Sequence, residues 1–174
     1  MKKSFSLVLS LMVLFVVSSC GSEDDDTCTK MIAIPHYKVV NNQFEAYNVT
    51  EEVACDFVEP ENSGPPELQN FSYEVLYFTF IPDTGHKTSR LKFEIKLNNP
   101  NNYAVEGLAF LTTRVDGDSF EYYGNYSKLA TVSCNKIAAN SSCTLTFDQE
   151  YALKPEEENP TAIELVSVAY YVAN

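Results

Sequence analysis

The side chains able to do chemistry are few in kind and scattered in position. Only two histidines occur, His36 directly after Pro35 and His86 within the Asp83–Lys87 turn, and both read as polar surface residues. The string Gly117-Asp118-Ser119-Phe120-Glu121 comes nearest to a nucleophile elbow, but it lacks the final glycine and sits beside a hairpin signal. A Ser-His-Asp set would need one of the two histidines brought to a serine by chance. Asp116, Asp118 and Glu121 cluster near a glycine as calcium ligands can, yet the spacing departs from the EF-hand loop and fits a solvated hairpin tip. The 24 acidic residues could contain a glycosidase pair, but nothing singles out two of them. No catalytic residue, metal site or cofactor is assigned. The expectation is a protein that is not an enzyme, with a hydrolase built from carboxylates as the alternative.

Tyrosine is the residue type most suited to binding. Phe120, Tyr122, Tyr123 and Tyr126 fall within seven residues, beside Gly124 and Asn125, and Tyr103 lies in an Asn-rich turn. A tyrosine offers a flat apolar face and a polar tip, which suits stacking on a sugar or an adaptable protein contact. Tyr122, Tyr123 and Tyr126 are therefore the candidate ligand-binding residues. Consecutive Tyr122 and Tyr123 on a strand must point to opposite faces, so part of the cluster is expected in the core.

Five cysteines complete the reactive set. Cys28, Cys55, Cys134 and Cys143 make an even number, and three pairings are formally possible. The polar segment Asn135–Ser142 joins two strand-like runs and favours Cys134–Cys143; Cys28–Cys55 then follows by elimination. Their spacings fit no C-x-x-C metal site.

Cys20 stands apart. Lys2 and Lys3 precede an apolar stretch, Leu7–Val17, broken only by Ser10, which is the charge and length pattern of a secretory signal. The stretch ends in Val17-Ser18-Ser19-Cys20-Gly21, which resembles the lipobox of bacterial lipoproteins. That resemblance implies cleavage before Cys20 and attachment of fatty acyl chains, palmitate among them, to the new N-terminal residue. Ser22, Glu23, Asp24, Asp25 and Asp26 follow at once. They resemble the acidic export signal that sends Bacteroidota lipoproteins to the outer face of the outer membrane. The implied location is the outer membrane, lipid-anchored, at the cell surface. The implied division is a signal peptide over 1–19, a lipidated, acidic linker over 20–30 and a folded domain over 31–174. An exported chain also meets an oxidising compartment, where four cysteines default to disulfides.

Composition narrows the partners. Twelve basic residues against 24 acidic ones give a net charge of −12, and loss of Lys2 and Lys3 with the signal takes it to −14. Such a chain lacks the basic face that nucleic acid requires. At 45% hydrophobic and 13% aromatic residues it is too apolar for disorder. The partners expected are the membrane, through the lipid, and an unidentified envelope protein or glycan.

The elements that must position these residues follow a period of two. Leu91, Phe93, Ile95 and Leu97 alternate with Arg90, Lys92, Glu94 and Lys96; Cys143, Leu145, Phe147, Gln149 and Tyr151 alternate with Thr144, Thr146, Asp148 and Glu150. Both are half-buried antiparallel strands. Phe71–Ile81, Ala104–Val115 and Thr161–Val172 are apolar on both faces, as central strands are. Met31–Val40 and Lys128–Cys134 are further candidates. Asn98-Asn99-Pro100-Asn101-Asn102, Asp83-Thr84-Gly85 and Asp116-Gly117 supply turns, and residues 59–70 and 155–160 supply loops. No long stretch keeps a helical period, so the expected fold is all-β, a single antiparallel sandwich.

One segment sharpens this. Leu91–Asp116, LKFEIKLNNPNNYAVEGLAFLTTRVD, places an Asn-Pro turn between two alternating strands. It is similar to strand pairs of late-embryogenesis-abundant and CARDB-like domains, both Ig-type sandwiches. The resemblance implies an Ig-like β-sandwich and carries over no functional residue. The chain lacks the core tryptophan of antibody-type domains.

Overall fold

A computed structural model describes residues 28–58, 64–117, 119–156 and 158–174. The signal segment, Cys20, Ser22–Asp26 and Asp118 lie outside the described residues. Among the described residues nine strands run in chain order: β1 (Thr29–Val40), β2 (Gln43–Ala54), β3 (Ser72–Ile81), β4 (Thr88–Asn99), β5 (Val105–Val115), β6 (Tyr122–Asn125), β7 (Lys136–Ile137), β8 (Ser141–Ala152) and β9 (Ile163–Val172). A single 3₁₀ turn, Ser127–Leu129, is the only helix among the described residues.

Two antiparallel sheets form the sandwich. In the first, β4 is central, with β3 on one side and β8 on the other. Its alternation is that read from the sequence: Leu91, Phe93, Ile95 and Leu97 are buried, and the charged residues between them face out. In the second, β5 is central. β9 takes one edge from Gly107↔Val172 to Val115↔Ile163, and β6 and the short β7 share the other. Gly107 is required by the closeness of that pairing, since a Cβ there would lie 2.1 Å from the Tyr171 carbonyl oxygen.

The core lies between the sheets. Phe93 and Phe147 stack 4.9 Å apart on neighbouring strands, Phe78 stacks on Phe93 at 5.4 Å, and Tyr126 meets both edge-on from the connection after β6. Ile95, Leu97, Leu111, Ile137 and Leu145 are all fully buried around them. Each such side chain contributes roughly 1.5–3 kcal/mol by leaving water.

The β1–β2 hairpin forms a third layer outside the second sheet. Its tip, Asn41-Asn42, has φ of 50° and 57°, the left-handed pair that a two-residue hairpin turn demands and asparagine tolerates. Phe44 stacks on Phe110 of β5 at 6.4 Å, and the Tyr37 backbone exchanges hydrogen bonds with Asn174 beyond β9. Leu108, on the outer face of β5, is thereby fully buried without belonging to the sandwich core.

Two expectations need correction. Phe71–Ile81 and Thr161–Val172 are apolar on both faces, yet β3 and β9 are edges, each paired along its length with one strand only. Lys128–Cys134 is not a strand: the 3₁₀ turn takes its start, and only Val132 bridges to Thr146 of β8. Its residues are used to wrap the β8 edge, which requires a bent path.

Candidate functional site

Both disulfides form as read, Cys28–Cys55 and Cys134–Cys143, with Cα atoms 5.4 and 5.7 Å apart. They do different work. Cys28–Cys55 closes the open base of the β1–β2 hairpin. Cys134–Cys143 ties the stretch before β7 to β8, and the buried Tyr170 hydroxyl donates to the Cys134 carbonyl at 2.9 Å. Burial pushes the Tyr170 phenol well above its usual range.

The Asn-rich turn is a structural hub. Asn99 is fully buried; its Nδ2 donates to the carbonyls of Tyr103 (2.8 Å) and Ala138 (3.1 Å), and its Oδ1 accepts from the Asn101 backbone (3.1 Å). Asn101 in turn donates to the Gln69 carbonyl at 2.9 Å. One buried amide thus joins the β4–β5 turn to the β7–β8 connection, and its neighbour reaches the segment leading into β3. Both polar side-chain atoms of Asn99 are used within the fold.

The titratable candidates do not converge. His36, on β1, lies 3.5 Å from Glu51 and against the Tyr47 ring, while His86 is exposed in the turn before β4. Ser119 is exposed. Asp116 Oδ1 accepts hydrogen bonds from the Thr161 backbone, the Thr161 hydroxyl and the Ala162 backbone at 2.6–2.7 Å. The Thr161 hydroxyl, ahead of the two backbone donors, holds this carboxyl below its ordinary value of 3.8. Glu121 pairs instead with Arg114 at 2.9 Å. Two of the three carboxylates of the calcium reading are therefore engaged by structural partners, and the third, Asp118, lies outside the described residues. Asp148, on the outer face of the first sheet, is likewise held low by its two-pronged bond with Arg90, at 2.6 and 2.7 Å. Among the described residues, no group of three His, Cys, Asp or Glu side chains could hold a metal ion.

The tyrosines separate as strand geometry requires. Tyr122, opposite Thr113, is on the inner side of β6; Tyr123, opposite Thr112, is on the outer side; Tyr126 is absorbed into the core rings. They do not make one patch. Tyr123 carries a different arrangement: its ring lies flat on Phe110 at 5.0 Å, and Phe110 stacks in turn on Phe44 of the hairpin. Tyr171 meets both Phe110 and Tyr123 edge-on. Burial, then a hydrogen bond with Tyr171, pushes the Tyr123 phenol upward, yet 55% of the residue stays exposed. Phe44, Phe110 and Tyr171 are site residues that the sequence analysis does not reach. The usable signal was the outward parity of Leu108 and Phe110 on a strand apolar on both faces.

Fold and site together define an all-β, disulfide-stapled sandwich with an aromatic column beneath an N-terminal hairpin. Comparison with protein-family models, with curated proteins and with solved structures found no match.

Proposed function

We propose that this chain is a lipid-anchored lipoprotein of the bacterial outer membrane, displayed at the cell surface. Its folded part is a non-enzymatic binding or assembly module. The observation that carries the reading is the use of the cysteines. Four of the five are bonded in pairs, as in an oxidising compartment, and the fifth, Cys20, follows Val17-Ser18-Ser19 at the end of an apolar leader. The acidic run Glu23–Asp26 behind Cys20 supports export and keeps the domain off anionic head groups. The displaced pKa values at Asp116, Asp148, Tyr123 and Tyr170 each have a structural reason, a hydrogen-bond partner or burial, and so mark no catalytic group. Metabolic labelling with an alkyne fatty acid tests the anchor: the native protein takes up label and Cys20→Ala does not. Label retained by Cys20→Ala, or absent from the native chain, would overturn it. Protease shaving of intact cells tests display. The native form is digested, and a form with Ser22–Asp26 replaced by alanine is protected.

A second reading, carbohydrate capture, draws on Tyr123, whose ring rests on Phe110 and remains half exposed. Without tryptophan in the chain, tyrosine emission is directly readable. Sugar-dependent quenching that disappears in Tyr123→Ala would establish this reading; quenching unchanged by the substitution would remove it.

A further inference from the structure

β3 and β9, the strands apolar on both faces, end their sheets on the same side of the sandwich. Native edge strands are usually shielded by charge, proline or shortness. Here each is ten residues long, and the only charges are Glu74 on β3 and Glu164 on β9. Each carries a bulge, which is itself a shield, but the extra residues are Leu76 and Val166, 49% and 38% exposed. Tyr73 and Val75 point toward the core and remain 37% and 42% exposed, although their partners Leu97 and Ile95 are fully buried.

The chain begins to close this seam and then leaves it. Leu68 donates to the Tyr170 carbonyl at 2.7 Å and Val172 to the Pro66 carbonyl at 2.8 Å, so residues 66–68 run antiparallel along the outer edge of β9. Asn70, with φ of 59°, then turns the chain across to β3 in the other sheet. By strand parity, the N–H and C=O of Val168 point the same way as those of Tyr170 and Val172, away from β5. No strand among the described residues continues the pairing along Ile163–Val168. A cleft of about 590 Å³, lined by Leu68, Phe71, Tyr73 and Val168 among others, opens where residues 66–68 depart.

We infer that the β3/β9 seam accepts an extended segment of another protein, added antiparallel along Ile163–Val168 in line with residues 66–68. The inference rests on the binding-module reading and names its partner by chemistry. Residues 64–81 and 158–174 contain Glu67, Glu74, Glu158 and Glu164 and no lysine or arginine, and of these acids Glu74 already pairs with Lys96 of β4 at 3.9 Å. The incoming strand therefore alternates β-branched apolar side chains, turned into the seam over Val75 and Val168, with lysine or arginine turned outward. A second copy of this chain, at net charge −12, would bring like charges together.

The test uses the full chain in detergent and two capped ten-residue peptides, alternating valine with lysine or valine with glutamate. Hydrogen exchange read by mass spectrometry should slow across residues 163–169 with the lysine peptide and stay unchanged across β1 and β2. The glutamate peptide should bind about tenfold more weakly or worse, and Val166→Lys should weaken the lysine peptide about tenfold without changing Tm. Equal binding of both peptides, protection confined to the hairpin, or no protection would each overturn the proposal. A concentration-dependent dimer abolished by Val166→Lys would also overturn it, by placing a second copy in the seam. Fatty-acid labelling at Cys20 is independent of these readouts. A chain that is labelled yet ignores both peptides loses this inference and keeps the envelope reading.

Discussion

The two seams of the sandwich are finished in opposite ways. On the β8 side, residues 126–140 wrap from one sheet to the other. Thr131 and Val132 pair with Thr146 on the β8 edge, Gln149 donates to the Leu129 carbonyl, Cys134 is bonded to Cys143, and Tyr126 packs edge-on against both Phe93 and Phe147. On the β9 side, three residues, 66–68, do the corresponding work and reach only Tyr170–Val172. A sandwich is stable with one seam sealed by a connection, because the core depends on the facing sheets and not on both rims. The open rim then keeps apolar side chains and unpaired backbone in solvent, which is the composition of an interface that awaits its second half.

The sharpest way to break the contrast is at Asn99, the buried amide of the sealed side. Asn99→Ala removes both donors and acceptor, leaving the Tyr103 and Ala138 carbonyls and the Asn101 backbone N–H without their partner. A loss of about 2–3 kcal/mol is expected in urea unfolding. Opening the staple there, with Cys134→Ser and Cys143→Ser together, comes close behind at roughly 2–3 kcal/mol for so short a loop. Opening the other staple should behave differently. Cys28–Cys55 closes the longer loop, with a sequence separation of 27, but it lies in a hairpin outside the sandwich. Cys28→Ser with Cys55→Ser should speed amide exchange in β1 and β2 while leaving β4, β5 and β8 protected. Equal deprotection of the sandwich would show the hairpin to be part of one cooperative unit. At the open rim, Leu76→Thr should shift stability by no more than about 0.5 kcal/mol, because the residue is already half in water.

Much of this architecture was legible in the sequence, and what escaped has identifiable causes. β4 and β8 declare themselves by alternation, since each has one face in the core and one in water. β2 did not, because a hairpin strand with Glu45, Glu51 and Glu52 buries little and takes its conformation from the Asn41-Asn42 turn and its partner β1. The two-faced apolarity of β3 and β9 mimics that of a central strand. Pattern reports that both faces are apolar but not what lies beside the strand, and at an open rim those two facts come apart. The tyrosine cluster shows the same limit: parity separated Tyr122 from Tyr123, but Phe44, which completes the column, lies 79 positions before Tyr123. The Asn-Pro turn was legible as a turn, whereas the burial of Asn99 depended on a β7–β8 connection far along the chain.

The gentlest expected effect concerns pH, and it bears on the open rim. Asp116 fastens Thr161 and Ala162, the residues that lead into β9, to the end of β5. Its folded pKa lies below the ordinary 3.8, with the Thr161 hydroxyl as the largest cause. A carboxyl lowered by folding contributes stability above its unfolded value and loses that contribution as pH falls through the folded one. The fastening is therefore complete at neutral pH and begins to weaken as pH drops to about 4. Asp148 shares this sign through Arg90, so part of any acid loss of stability belongs to the outer face of the first sheet. The two separate by location. Acidification should speed exchange at residues 161–165 through Asp116 and across the β4–β8 pairing through Asp148. Asp116→Asn should bring the first change to neutral pH and leave the second alone. If Asp116→Asn leaves residues 161–165 protected at pH 7, the start of β9 is held by its β5 ladder alone, and the acceptor edge stands ready without this latch.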